Sequence, residues 1–149
     1  MAALLLLLCS ASAAAEDIKA NELLTRDEAI GIAYDVIVPA SLDHAVTAFM
    51  GMAPLDAGDT IVPVFTEGRQ YTIDGPTWFC WIDDNPQAFF EHDTRYVFIN
   101  AVTGAVSVVV EKFWPVLNGE PLFMTDEEWT DLEIVIYSCI HSEEVGGDP

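Results

Sequence analysis

Cys80, His92 and Asp93 are the residues of this chain whose types match a thiol-dependent hydrolase. A catalytic thiolate needs an adjacent imidazole to accept its proton, and the imidazole needs a carboxylate to orient it. Cys80, however, lies inside the apolar run WFCWI at positions 78–82, which is typical of a buried strand. Apolar burial raises the pKa of a thiol and makes it inert. We therefore expect Cys80 to be a core or disulfide cysteine, and we predict no enzymatic activity.

Carboxylates and imidazoles also cluster where they could act as metal ligands, at positions 83–85 and 91–93, together with His44 and His141. None of them follows a zinc spacing such as H-E-x-x-H, and positions 83–85 lack the alternating ligands, central glycine and terminal glutamate of a calcium loop. The sequence Asp-Asp-Asn-Pro at 83–86 is typical of a turn. A weak Ca²⁺ site at Asp83, Asp84 and Asn85 is the alternative. We predict no metal centre and no cofactor.

The start of the chain, MAALLLLLCSASAAA at positions 1–15, has the apolar core and the small-residue cleavage region of a secretory signal. We predict its removal, which leaves one domain at 16–142 and a flexible acidic tail at 143–149. No other apolar run is long enough to span a bilayer, so we expect a secreted or periplasmic protein without stable membrane insertion. In that compartment Cys80 and Cys139 form an even pair, and either a disulfide between them or two buried thiols fits the sequence.

Charge is the strongest compositional feature. The 149 residues hold 25 acidic and 5 basic side chains, which gives a net charge of −20. Such a surface repels phosphate backbones and anionic lipids, so we expect neither nucleic acids nor membrane surfaces as partners. Basic or divalent partners are favoured, although the same charge also serves solubility alone.

Aromatic residues are dense between positions 78 and 114, and tryptophan is enriched at interface hot spots. Alternation along 77–82 places Trp78 and Cys80 on one face of a strand and Phe79 and Trp81 on the other, so we expect most of these rings to fill the core. If any of these rings is exposed, we expect it to be Trp81 or Trp114, which lie near strand ends. Together with the neighbouring carboxylates Asp83 and Asp84, they are the predicted partner-binding residues.

These side chains must be positioned by an α+β fold. Thr25 and Glu28 form a capping box, and the apolar spacing that follows predicts a helix over 26–38, ended by Pro39. A second helix is predicted over 41–50, and strands over 61–65 and 77–82. Residues 94–112 predict a β-hairpin with its turn at Thr103-Gly104, in which Val106, Val108 and Val110 point inward.

A second capping box, at Thr125 and Glu128, precedes apolar residues at helical spacing up to position 140. We favour a C-terminal helix here, although residues 134–137 are also β-prone. The expected architecture is thus an antiparallel sheet of three to four strands packed against an N-terminal helix and a C-terminal helix.

Two segments carry a family resemblance: LTRDEAIGIA at 24–33 and YVFINAVTGAV at 96–106. They are similar to the opening helix and the closing hairpin of the PepSY-like family of extracytoplasmic domains, with Asn100 where that family usually has aspartate. The resemblance implies a non-catalytic module that binds another extracytoplasmic protein, most plausibly a peptidase, which it inhibits or helps to fold. The alternative is a stand-alone structural or envelope-associated acidic domain that has no peptidase partner.

Overall fold

A computed structural model describes residues 22–140, and its first element confirms the N-terminal helix. Helix α1 spans Arg26–Ser41. The Thr25 hydroxyl accepts from the Glu28 N–H at 3.3 Å, while the Glu28 carboxylate accepts from the Thr25 N–H at 2.8 Å, so the capping box is complete. The helix continues past Pro39 to Ser41, because a proline in the last turn removes only one hydrogen bond of the helix.

Two antiparallel sheets follow α1, which confirms the α+β class. The strands within 22–140 are β1 Val46–Met50, β2 Thr60–Pro63, β3 Tyr71–Thr72, β4 Thr77–Asp83, β5 Thr94–Asn100, β6 Val106–Glu111, β7 Pro115–Leu117, β8 Glu120–Pro121 and β9 Val135–Cys139. The first sheet, sheet A, has five strands in the order β6-β5-β4-β1-β9, and the second, sheet B, has four in the order β3-β2-β7-β8.

Sheet A is the middle of three layers. Helix α1 covers one face of it, where Ala29, Ala33 and Ile37 meet side chains such as Cys80 and Val97. Sheet B covers the other face around an aromatic core, listed here: Phe49, Phe79, Trp81, Tyr96 and Phe123. The alternation predicted for β4 is confirmed, since Trp78 and Cys80 face the helix while Phe79 and Trp81 face sheet B.

The predicted second helix over 41–50 is wrong. Residues Val46–Met50 form β1 between β4 and β9, and every side chain in this strand is buried. A strand buried on both faces shows no alternation of polar and apolar residues, so the pattern of the sequence did not separate it from a helix.

The hairpin is confirmed as β5 and β6. Gly104 adopts φ +73°, and the Asn100 carboxamide oxygen accepts from the N–H groups of Val102 and Thr103, which closes the turn. The inward orientation of the valines is wrong: Val106, Val108 and Val110 are 42%, 44% and 57% exposed. They lie on the helix side of sheet A, but the helix packs over β9, β1, β4 and β5 and does not extend over β6.

The C-terminal helix is confirmed only as the short α2, Asp126–Thr130, with its capping box formed by Thr125 and Glu128. Beyond it the chain forms β9, Val135–Cys139, which pairs with β1. The β-prone alternative for residues 134–137 is therefore correct. These residues form a strand because of a tertiary contact: they satisfy the backbone hydrogen bonds on the outer side of β1.

Candidate functional site

Trp81 is not an exposed binding residue. Its side chain is 1% exposed, and its ring stacks on Phe49 with centroids 5.2 Å apart. Trp114 is partly buried 6.2 Å from Trp81. Both rings belong to the core between sheets A and B. Exposure is therefore wrong for Trp81, and Trp114 is only partly exposed. The Trp81 Nε1–H has no acceptor among residues 22–140.

Asp83 and Asp84 are bound by neighbouring groups of the same chain. Asp83 is 2% exposed, and its Oδ1 accepts from His92 Nε2 at 2.8 Å and from the Asn85 N–H at 2.9 Å. Burial raises the pKa of the Asp83 carboxyl, although these two donors act in the opposite direction. Asp84 receives two hydrogen bonds from Arg95, at 2.6 and 2.7 Å. Neither carboxylate is available as the freely exposed contact that we predicted.

The residues of the thiol-hydrolase hypothesis are not brought together. Cys80 is fully buried on the helix side of sheet A. His92 is hydrogen-bonded to Asp83, and the alternation of β4 places Asp83 on the opposite face of the sheet. Burial raises the pKa of the Cys80 thiol to about 12, which keeps it protonated. His92 Nδ1 lies 2.6 Å from the Phe90 carbonyl, and Asp93 pairs with Lys112. No thiolate–imidazole–carboxylate arrangement results from these contacts.

Of the two alternatives for Cys80 and Cys139, a disulfide between them does not fit the fold, because β1 separates the two residues. Cys80 pairs with Met50 across one side of β1, and Cys139 pairs with Val46 across the other. The cysteines are thus two strand spacings apart, about 10 Å, and offset by about 13 Å along the strands. A disulfide requires Cα atoms within about 7 Å.

The alternative of a Ca²⁺ site at Asp83, Asp84 and Asn85 is not favoured by the structure. His92 already binds the Asp83 carboxylate, and Arg95 already binds that of Asp84. In the part of the chain that the structure describes, no group of three or more side chains is arranged to hold a metal ion. His141 lies outside the described residues, as do the predicted signal at 1–15 and the tail at 143–149.

The outer edge of β6 is the most distinctive unpaired feature of the fold. Asn100 N–H donates to the Ala105 carbonyl at 2.9 Å, so Asn100 and Ala105 are a hydrogen-bonded pair of the β5–β6 ladder. Hydrogen-bonded and non-hydrogen-bonded pairs alternate along an antiparallel ladder. The N–H and C=O groups of Val106, Val108 and Val110 therefore point away from β5. Within 22–140 nothing donates to or accepts from these groups. We call this line of backbone groups and the three valine side chains the β6 edge.

A groove of about 460 Å³ borders the β6 edge on the sheet B side. The rings of Tyr71 and Phe98 form its apolar wall, with centroids 5.5 Å apart. Ser107 and Val109 of β6 and the exposed Asp74 also line it. We call this cavity the β6 groove.

A buried carboxylate fixes the position of the Tyr71 ring in the groove wall. Glu111 is 3% exposed and accepts from Arg69 at 3.0 Å and from the Tyr71 hydroxyl. Burial and the Glu111 carboxylate raise the pKa of Tyr71 to about 12, so its hydroxyl remains neutral and donating. The Tyr71 ring is thereby held at a fixed position beside Phe98.

The described basic side chains are all engaged. Arg69, Arg95 and Lys112 pair with Glu111, Asp84 and Asp93, in that order. The fourth, Arg26, donates to the carbonyls of Met50 and Gly51 at 3.1 and 3.0 Å. Most acidic residues have no such counter-charge, so the negative charge of this surface is not locally neutralised.

Sequence reasoning missed which aromatic residues are exposed. Phe89 and Phe90, in the β4–β5 connection, are 93% and 85% exposed, and Phe65, which has φ +59°, is 85% exposed. A usable signal was present: Phe89 and Phe90 follow the turn residues at 83–86 and precede the polar residues at 91–93, so they lie outside both strands.

Comparison of the chain with protein-family models, with curated proteins and with solved structures finds no match. Among the helices of residues 22–140, none has the length and apolar character that crossing a bilayer requires.

Proposed function

We propose that this chain is a non-catalytic protein-binding module that recruits an extended segment of a partner polypeptide to the β6 edge. The observation that carries the proposal is the row of outward backbone groups at Val106, Val108 and Val110, which lack hydrogen-bond partners within residues 22–140. Natural proteins usually protect such edges with charges, prolines or covering segments. Addition of a strand satisfies these groups and covers the valine side chains at the same time.

The charge of the module favours a cationic partner and disfavours a second copy of itself. Two copies joined edge to edge would each bring a net charge of −20 to one interface. A segment that carries lysine or arginine instead gains electrostatic attraction as it approaches, which speeds association and selects among partners.

The partner that we propose is a peptidase of the same secreted or periplasmic compartment. This part of the proposal rests on the resemblance to the PepSY-like family and on the signal-like residues 1–15. The role as inhibitor or folding assistant, rather than as enzyme, is supported by the buried Cys80 thiol and by the separation of Cys80 from His92.

The experiment uses the chain from Glu16 onward, with Val108→Pro as the matched variant. The proline removes one outward N–H of the β6 edge and leaves the ladder to β5 intact. Each protein captures partners from the secreted and envelope fractions of the source cells, and the captured peptidase is then assayed for inhibition at known stoichiometry. We expect the wild type to bind and inhibit a peptidase, and the variant to bind it at least tenfold more weakly.

Backbone amide exchange gives an independent reading. Binding is expected to slow exchange of the Val106, Val108 and Val110 amides, while amides of α1 stay unchanged. Capture of a peptidase equally by both proteins would refute the β6 edge as the interface. Capture of no peptidase by a folded wild type would favour the stand-alone structural or envelope-associated domain instead.

A further inference from the structure

We propose that the β6 groove is a pocket for an arginine side chain of the segment that pairs with β6. This inference rests on the proposed strand addition and adds to it the chemical class of residue that is recognised. Three features of the groove carry it: its position relative to the β6 edge, its paired aromatic rings and its unpaired carboxylate.

The position of the groove follows from the pleat of β6. Ser107 and Val109 line the groove, whereas Val106, Val108 and Val110 lie on the opposite side of sheet A. An added strand continues this alternation, so every second side chain of it points to the groove side. If the strand adds antiparallel, residues opposite Ser107 and Val109 occupy non-hydrogen-bonded positions, where the side chains of neighbouring strands approach most closely.

The aromatic wall suits a planar cation. The Tyr71 hydroxyl already donates to Glu111, so the ring is the part of Tyr71 that remains for a ligand. Phe98 lies beside it at a centroid distance of 5.5 Å. The faces of such rings attract cations, and the flat guanidinium of arginine also stacks on them, which the ammonium of lysine does not do.

The carboxylate that completes the pocket is Asp74. It lines the groove, is exposed, and has no hydrogen-bond or ion-pair partner among the described residues. A guanidinium can donate two parallel hydrogen bonds to one carboxylate. Arg69, the described cation closest to it in sequence, pairs with Glu111 instead. The groove thus offers a negative charge beside an aromatic surface, and the net negative charge of the chain disfavours an acidic side chain there.

The probes are fluorescein-labelled peptides with the sequence Thr-Val-Thr-Val-X-Val-Thr-Val-Thr, in which X is arginine, citrulline, lysine or glutamate. Citrulline keeps the shape of arginine and lacks its charge. Fluorescence anisotropy measures the Kd of each peptide for the wild type, Asp74→Asn and Val108→Pro. Asp35→Asn is the matched control, because Asp35 is an exposed carboxylate on α1, on the other side of sheet A.

We expect the wild type to bind the arginine peptide about tenfold more tightly than the citrulline peptide, with lysine intermediate and glutamate weakest. Asp74→Asn is expected to remove most of the preference for arginine and to leave the citrulline peptide unaffected. Asp35→Asn is expected to change neither affinity by more than about twofold. Val108→Pro is expected to weaken all four peptides alike.

The two proposals fail differently. Equal binding of the arginine and citrulline peptides, with both weakened by Val108→Pro, would overturn the arginine pocket and retain strand addition. An arginine preference that Asp74→Asn leaves intact would also overturn the pocket. Binding that Val108→Pro does not weaken would overturn strand addition, and so would the absence of any binding at peptide concentrations of about 1 mM.

Discussion

Proline substitutions at two adjacent positions of β6 test whether its outer edge is open. The Val108 N–H points away from β5, so Val108→Pro removes no hydrogen bond of the β5–β6 ladder. The Val109 N–H points toward Tyr96, its partner in that ladder. Val109→Pro therefore removes a ladder bond, although the two substitutions are chemically identical and only one residue apart.

The expected magnitudes follow from what each proline leaves behind. Val109→Pro leaves the carbonyl of the fully buried Tyr96 without its donor. An unsatisfied buried group costs about 1–3 kcal/mol, and the displacement of the ladder by the ring adds to it, so we expect a loss of about 2–4 kcal/mol. Val108 is already 44% exposed, and proline also restricts the unfolded chain. For Val108→Pro we expect a change of at most about 1 kcal/mol.

The assay is urea unfolding of both variants and the wild type, followed by tryptophan fluorescence and by circular dichroism. Coincident transitions with equal m-values allow the free energies of unfolding to be compared directly. Equal losses in the two variants, or a larger loss in Val108→Pro, would refute the reasoning. Either result would mean that the Val108 N–H already has an acceptor in the folded protein, and strand addition at the β6 edge would then be abandoned.

Three further predictions concern the buried polar groups. Because burial raises the folded pKa of Asp83 above its unfolded value near 3.8, its stabilising contribution is complete below that pH and is lost as pH rises through the folded pKa. We therefore expect the free energy of unfolding of the wild type, relative to that of Asp83→Asn, to fall as the pH rises above about 3.8. A relative stability that increases with pH, measured by urea titration, would contradict this. Trp81→Phe removes an indole N–H that lacks an acceptor, so relief of about 1–3 kcal/mol offsets the lost packing, and calorimetry is expected to find a net change within about 1 kcal/mol. Its matched control, Trp78→Phe, loses the 2.9 Å hydrogen bond to the Leu24 carbonyl and should cost about 2–4 kcal/mol; equal losses would contradict the assignment. Finally, the fully buried Cys80 thiol, with its pKa raised to about 12, is expected to resist iodoacetamide in the native protein and to react after urea unfolding, and mass spectrometry of native samples that shows rapid modification of Cys80 would refute this.

Local patterns in the sequence determined the elements whose stability is itself local. The capping boxes at Thr25 and Thr125 form within three residues, and both are present. The hairpin turn at Asn100 and Gly104 likewise depends on neighbouring backbone and side-chain groups. The faces of β4 followed from alternation alone, because the pleat of a strand has a fixed period.

Elements that depend on partners distant in the chain were mispredicted or left undecided. Residues 46–50 form a strand because β4 and β9 bond to both sides of it, and no pattern within those residues records that environment. Residues 135–139 form a strand rather than a helix because they pair with β1, which is also distant in the sequence. Sheet B, which buries Trp81, is built from strands of two to four residues that carry little periodic signal.

The sequence by itself determined the strong negative charge and the α+β class. It also determined helix α1 and the β5–β6 hairpin. Only the tertiary structure decided which side chains reach the surface. Exposure depends on the layer that packs above each face, and a helix that stops short of β6 leaves Val106, Val108 and Val110 uncovered although their alternation predicts burial. The β6 edge therefore combines two results of packing: β6 is the last strand of sheet A, which leaves its outer backbone groups unpaired, and α1 does not cover it, which leaves its valines exposed. Neither result is recorded at a single position of the chain.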